Sequence, residues 1–373
     1  MFYAKLVLLL AAVTLLACPS VKSSPVNFVG SQQAEDVVTA SVGCEVGNFS
    51  QFRNALANAS KYRSTYDRRP CVTSRSKATV TLKCTGTYTR GNGALIQLDP
   101  VIKDWAIVTN CVNAGHQKDT MIDFAPSNFD TDRVAVMAAA GPGNTFRMKD
   151  LQFVFNGKSG AGACKDDKPC AFIRVEGFKS VSFENVGINT YNAVIFSSMP
   201  ASGIHIRGAD TIKLDTVKVS SVAEHGILVE EGGEVEATDP GGGRHEVTRN
   251  RAKYGGGICF QSRLADGVSG PLYQQLLLKL TGNPWLKDNK AEVCGCGMAT
   301  IGNMVTERMA IAIDKGVEIS GNRADKGKTW CGILPAQDDD GATSLDNFKS
   351  IWFTESQDKR RALRQILAAH PAA

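Results

Sequence analysis

The feature that most restricts what this chain can fold into is an internal repeat without gaps. Residues 173–188 (IRVEGFKSVSFENVGI) align on residues 204–219 (IHIRGADTIKLDTVKV) at an offset of 31. Places that must point inward in alternating strands are apolar in both copies: 173/204, 175/206, 181/212, 183/214, 186/217 and 188/219. Residues 148–153 (MKDLQF) match the second half of the unit, and residues 227–230 (ILVE) match its start, 23 positions beyond Ile204. Short alternating strands that keep register while one loop varies in length describe a solenoid, its coils stacked one strand spacing apart, roughly 4.8 Å. The expected fold is all-β, a single-stranded right-handed parallel β-helix with three strands per coil. A β-sandwich also uses many short alternating strands, but it does not predict a register-preserving repeat.

The ends read differently from the middle. A short stretch with one positive charge, Lys5, precedes a run from Leu6 to Ala17 that is apolar apart from Thr14. That run has the length of a signal-peptide core and is too short to span a bilayer. Residues 1–24 are therefore expected to be a signal peptide, and the mature protein is expected to be secreted or on the extracellular surface. Leu15, Leu16 and Ala17 before Cys18 also allow a bacterial lipobox, which would anchor the protein through a lipid on Cys18. No later stretch is apolar enough for a transmembrane span. Asn48 and Asn58 head glycosylation sequons, usable in a eukaryotic source. The net charge of +5 is mildly favourable to acidic polymers and far from a nucleic-acid footprint.

Residues 25–60 are expected to form an N-terminal arm and an amphipathic helix, with Phe49, Phe52, Leu56 and Ala59 on one face. The β-helix is expected over 61–345, interrupted by an insertion near 262–300, where Leu272, Leu276, Leu277 and Leu280 have helical spacing. Residues 346–373 form a helical tail, with Ala362, Leu363, Ile366 and Leu367 on one side. The helix at 48–60, the strand 78–88 (ATVTLKCTGTY) and then 94–98 (ALIQL) resemble the opening of pectin-lyase-like parallel β-helix proteins. That resemblance implies that the helix caps the open end of the coil, which would otherwise expose its interior and unpaired backbone groups. Residues 250–259 (NRAKYGGGIC) and 322–333 (NRADKGKTWCGI) resemble coils of polymorphic outer-membrane and autotransporter-type β-helix proteins, the second copy lacking the Gly-Gly pair. No transport role follows from coils alone.

The register assigns outward columns. One reads Arg174, His205, Leu228, Cys259, and the next Glu176, Arg207, Glu230, Gln261. On the second strand Ser182 lies beside Lys213 and Glu184 beside Asp215; then Gly187 lies beside Lys218. A polysaccharide lyase needs a base for the proton α to a uronate carboxylate and a cation to neutralise that carboxylate. A glycoside hydrolase needs two or three carboxylates around the scissile bond. The candidate catalytic residues are Arg174, His205, Arg207 and Glu230, with Glu176, Lys213 and Lys218 as substrate-binding residues. Glu184 and Asp215 on adjacent rungs form a candidate Ca2+ site. The same charges can also be a solvated salt ladder of little energetic weight. Residues 224–229 (EHGILV) are weakly similar to the Gly-His-Gly-Ile segment of polygalacturonases. That family's paired Asp and its Arg-Ile-Lys are missing, as is the Arg-x-Pro-x-x-Arg of pectate lyases. The resemblance therefore implies fold, secretion and carbohydrate, and no catalytic residue.

Without Cys18, ten cysteines remain, an even set that in an exported chain points to disulfides. Cys84 and Cys111 lie 27 positions apart, near one coil length, with Val80/Ile107 and Leu82/Thr109 in the same register. Cys164 with Cys170 would close a loop, and Cys259 with Cys331 end two related segments. Two functional readings follow. The first is a secreted β-helix that binds an extracellular anionic polysaccharide and cleaves it as a lyase or glycoside hydrolase. The second is a non-catalytic surface, matrix or adhesin-like protein.

Overall fold

The computed structural model describes residues 43–88, 96–109, 111, 121–123, 134–155, 170–190, 201–231, 233–238, 245–261, 276–280, 282, 285–294, 297–301, 309–313, 317–325, 330–333 and 351–353. These residues are mostly β, and nearly all of their strand pairings are parallel. The pairings fall into three long ladders. In ladder A, residues 137–140 of the strand Val134–Phe155 pair with residues 173–176 of Cys170–Thr190. Ala201–Arg207, Ile227–Glu230, Ile258–Gln261, Met298–Ile301 and Trp330–Ile333 then follow rung by rung. Ile173, Ile204, Ile227 and Ile258 form one column, as the repeat requires.

Ladder B runs from Cys44–Asn48 through Lys77–Thr87, Asp104–Thr109 and the middles of the two long strands. It continues through Thr211–Asp215, Glu234–Thr238, Leu276–Leu280 and Met309–Ile313 to Ile351–Phe353. One inward column, Val80, Ile107, Met148, Phe183, Leu214, Ala237 and Leu280, is buried throughout. Ladder C stacks Met121–Asp123, residues 152–154, residues 187–189, Lys218–Ser220, Glu246–Thr248, Trp285–Lys287 and Glu318–Ser320. Its column Phe153, Ile188, Val219, Val247 and Leu286 is equally buried. Each large apolar side chain moved out of water contributes about 1.5–3 kcal/mol before its ordering cost, so stacking like on like builds one continuous core.

The corners between ladders are made by single residues in the left-handed region. Gly177, Gly208 and Glu231 follow ladder A, and Asp150, Asn185 and Thr216 follow ladder B. Ser221, Arg249, Asp288 and Gly321 follow ladder C. One such residue reverses the pleat and turns the chain without a long loop. The entry to ladder A has a different requirement. A Cβ on Gly203 would lie 2.6 Å from the carbonyl oxygen of Gly226, one on Gly226 2.8 Å from that of Gly257, and one on Gly257 2.3 Å from that of Gly297. Three successive rungs therefore need glycine where their backbones meet the next.

A small fourth sheet, ladder D, follows ladder C. Arg251–Tyr254, Lys290–Cys294 and Arg323–Ala324 stack in register. Just before them, Asn250, Asn289 and Asn322 form an amide ladder. Asn250 Nδ2 donates to Val219 O (3.3 Å) and to Asn289 Oδ1 (3.0 Å), while Asn289 Nδ2 donates to Val247 O (2.8 Å) and to Asn322 Oδ1 (3.1 Å). Asn322 Nδ2 donates to Leu286 O at 2.7 Å. Asn250 and Asn289 are fully buried, and each rung's amide closes the corner of the rung before it.

The expected helix is present as α1, Phe49–Ala57. Asn48 caps it by accepting from Gln51 N at 2.9 Å, and Gln51 Oε1 accepts from Gly47 N at 2.9 Å, a reciprocal capping box. Phe49, Phe52, Ala55 and Leu56 are buried against the first strands of ladder B. Three expectations need correction or a boundary change. Leu276–Leu280, Trp285–Lys287, Lys290–Cys294 and Met298–Ile301 are strands and continue the ladders, with Leu278 and Leu280 in register with Val235 and Ala237. The leucine run satisfies helical spacing and period-two alternation alike, and stacking selects the latter. Cys44–Asn48 is already a rung, ahead of α1. Among the described residues the last rung is Ile351–Phe353, beyond the boundary expected at 345. The leader with Cys18 and the helical face expected at Ala362, Leu363, Ile366 and Leu367 lie outside the described residues. Among the described residues no helix is long and apolar enough to cross a membrane.

The Cys84–Cys111 disulfide is present, and Cys44–Cys71 is a second bridge that was not among the expected pairs. Each spans 27 positions, so each removes a similar amount of unfolded-state freedom, about 3.5 kcal/mol in the chain-entropy account. Cys259 is a free buried thiol. Cys331 lies two rungs away with Ala299 between them, about 9.6 Å of backbone separation at two strand spacings and past the ~7 Å reach of a disulfide. The expected Cys259–Cys331 bridge is therefore excluded. The proposed partner pair Cys164 and Cys170 lies outside the described residues and side chains.

Candidate functional site

The outward side of ladder A between residues 173 and 261 holds the candidate site. Strand register brings Arg174, His205, Leu228 and Cys259 into one column and Glu176, Arg207, Glu230 and Gln261 into the next. Sequence reasoning placed both columns in solvent. Instead His205 is 0% exposed, Glu230 1%, Leu228 1% and Cys259 0%, while Arg174, Glu176, Arg207 and Gln261 are partly exposed, so the outer face of ladder A is shielded at those four residues and partly open around them. The signal was legible in Leu228 and Cys259, two apolar residues at outward places.

Within that shielded region His205 Nε2 lies 2.9 Å from Glu230 Oε2. With Nε2–H donating to the carboxylate, Nδ1 keeps its lone pair, and Nδ1 is buried with no hydrogen-bond partner. Around the pair runs an ionic chain. Arg174 Nη2 donates to Glu176 Oε2 (2.7 Å), Arg207 Nη1 to Glu176 Oε1 (3.1 Å) and Arg207 Nε to Glu231 Oε2 (3.3 Å). The Nε of Arg174 is buried and unpartnered. Glu231, the left-handed corner residue, was not among the expected site residues. The salt ladder anticipated for Glu176, Arg207 and Glu230 therefore exists in altered form, with Glu231 in the place of Glu230 and Glu230 turned to His205.

The other expected residues sit apart from this cluster. Lys213 is exposed beside Ser182 and Glu236. Lys218 lies beside Gly187 and Glu246, with Nζ 3.9 Å from the Glu246 carboxylate. Glu184 and Asp215 are adjacent in register as expected. Their metal role loses its physical basis, because Glu184 is already held by Arg147 Nη2 at 2.6 Å and by Lys149 Nζ. Partial burial would raise the Glu184 carboxyl's pKa, but the two cations outweigh it and hold it below the usual range. Asp215 accepts from its neighbour Thr216 Oγ1 at 2.9 Å. Among the described residues no group of three or more His, Cys, Asp or Glu is arranged to hold a metal ion.

A second group of ionisable residues lies at the entry to ladder A. His225 Nδ1 donates to Gly255 O at 2.9 Å, its Nε2 is 3.6 Å from Glu224 Oε2, and the Cys259 thiol is within its hydrogen-bonding reach. Burial by itself would lower the imidazole's proton affinity. Cys259, Glu224 and the Gly255 carbonyl outweigh it and push the pKa up to about 9. Glu224 is pushed above the usual carboxylate range by burial. His245 is the opposite case: it is fully buried, its Nδ1 accepts from Val217 N at 3.3 Å, and burial pushes its pKa down to about 4. Sequence reasoning noticed Glu224 and His225 only as a motif fragment, since Cys259 meets them across a rung.

Comparison with known proteins gives no match: no family model, no characterised protein and no solved structure matches the chain.

Proposed function

We propose that this chain is a secreted, right-handed parallel β-helix that binds an anionic polysaccharide and cleaves it by proton abstraction, with His205 and Glu230 as the acid–base pair. The observation that carries this reading is the fully buried His205–Glu230 pair. A buried pair of ionisable groups stabilises a fold no better than two well-packed apolar residues and often worse, so its presence in a cluster of arginines favours chemistry. Three parallel ladders with one-residue corners support the β-helix, and two disulfides suit an oxidising compartment.

In the proposed reaction Glu230 fixes the imidazole so that the unpartnered Nδ1 of His205 is the base; because that atom is buried, the reaction requires that His205 be uncovered when the polymer binds. It takes the proton α to a uronate carboxylate, and the guanidinium groups of Arg174 and Arg207 stabilise the negative charge that develops on that carboxylate. The C–O bond to the leaving sugar then breaks, its oxygen taking the proton from the His205 imidazolium, and a C=C bond forms in the residue left behind, so that the neutral imidazole is regenerated. Hydrolysis by two carboxylates is less well supported, because Glu176 is held by both arginines.

The non-catalytic reading is favoured by one observation, the complete pairing of Glu176 with Arg174 and Arg207, which a plain scaffold would also show. The two separate in one assay: incubation with a panel of uronate-containing polymers, following ultraviolet absorbance of unsaturated products. Wild type is expected to turn over at least one polymer, and His205→Gln to lose at least a hundredfold in kcat. Absence of turnover across the panel by well-folded wild type overturns the enzymatic reading.

A further inference from the structure

Ladder D stacks three cations in one column. Arg251 pairs in register with Lys290, and Lys290 with Arg323, and all three side chains are exposed. Like charges directly opposite one another in a sheet are destabilising, and elsewhere the fold avoids or compensates them. Lys213 sits between Ser182 and Glu236, Lys218 faces Glu246, and Lys287 reaches Glu318 at 2.9 Å. Where two acids do meet, at Glu184 and Asp215, Arg147 and Lys149 hold Glu184. The ladder D column has weaker compensation. Glu292 comes only to 4.0 Å of Arg251, both being more than half exposed. The acids Asp288 and Asp325 lie beside the column in sequence, yet among the described residues Lys290 and Arg323 form no ion pair.

The backbone under the column is fixed. On one side lies the amide ladder of Asn250, Asn289 and Asn322, and on the other Ala252 and Ala291 are buried. Three flexible charges thus rise from a rigid edge at one strand spacing, roughly 4.8 Å, along the direction in which the rungs stack. That interval is close to the length of one sugar residue in a linear polysaccharide.

We infer that Arg251, Lys290 and Arg323 form a docking row for a linear polyanionic polysaccharide lying along the stack, one carboxylate of the polymer meeting each rung. The inference rests on the polysaccharide reading for its occupant but concerns a surface apart from His205 and Glu230. A bound polyanion relieves the repulsion within the column, and its counterions leave on binding, which makes affinity steeply salt-dependent.

The test is binding of polygalacturonate to the full chain by calorimetry at several salt concentrations. Neutral dextran and single-stranded DNA serve as competitors. The triple variant Arg251→Ser/Lys290→Ser/Arg323→Ser is compared with Lys61→Ser/Arg63→Ser/Arg75→Ser, which removes the same charge from exposed sites elsewhere. The row predicts at least a tenfold loss of affinity in the first variant and a salt slope shallower by about two, with little change in the second. Equal losses in both variants, an unaffected first variant, no wild-type binding, equal binding of dextran, or preference for DNA would each overturn it. Binding that depends on the row without any cleavage would leave the row standing and remove only the proposed reaction. Cleavage with binding indifferent to the row would do the reverse.

Discussion

Two regions of this molecule bury polar side chains on successive rungs, and they do so by opposite means. At the corner before ladder D, Asn250, Asn289 and Asn322 are neutral and hydrogen-bond one another and the neighbouring backbone. On the outward side of ladder A, His205 and Glu230 are ionisable, and the His205 Nδ1 has no partner. The amide ladder repeats because each rung satisfies the next, which costs little once the corner is formed. The His–Glu pair occurs on one pair of rungs and leaves a buried nitrogen open. A neutral, repeated and satisfied network is how this fold holds itself together. An ionisable, singular and incompletely satisfied one marks a place where something other than folding is at stake.

The sharpest way to break this contrast is at the middle amide. Asn289→Ala would strand the Asn250 amide donors and the Val247 carbonyl. At about 1–3 kcal/mol for each stranded buried group, a loss near 5 kcal/mol is expected, read as a lower urea midpoint at unchanged m-value. A loss below about 1 kcal/mol would mean that the ladder is incidental.

The ionisable pair should behave differently. Glu230→Ala leaves His205 buried without its partner and is expected to cost about 3–5 kcal/mol. The double variant His205→Phe/Glu230→Leu is expected to recover wild-type stability or exceed it while losing all turnover. If the double variant is as unstable as the single, the pair is structural and the contrast with the asparagines fails.

Smaller again is the pH dependence set by His225 and His245. The folded-state pKa of His245, about 4, lies below its usual 6.5. The unfolded chain therefore takes the proton first, and stability present above about pH 6.5 is lost as pH falls toward 4. The shift corresponds to about 3 kcal/mol. His225, raised to about 9, acts with the opposite sign: its contribution is complete below about pH 6.5 and is lost as pH rises through 9. Unfolding midpoints from pH 4 to 10 should fall at both ends, and His245→Leu should flatten the acid limb alone. An acid limb unchanged in that variant would assign it to other groups.

Much of the architecture was legible because stacking writes itself into sequence. The offset of 31 between Ile173 and Ile204 and of 23 between Ile204 and Ile227 required only that inward places stay apolar, and both registers hold. The segment 276–301 was misread because its leucines fit two periods, and only the neighbouring rungs choose between them. Cys44–Cys71 was missed because Cys71 lies outside the repeat, in the connection between the helix and the strand Lys77–Thr87.

By itself the sequence determined the rungs: which residues alternate, which meet across a rung, and where an asparagine or a glycine recurs. Those are local and periodic properties, set by the two-residue pleat and the pull of apolar side chains away from water. The tertiary structure decided which outward places are shielded, and so turned His205 and Glu230 from surface charges into a buried pair. It also brought Cys259 to His225 across a rung and gave Glu184 to Arg147 and Lys149. Shielding and cross-rung pairing depend on residues far apart in the chain, whose proximity no local period records.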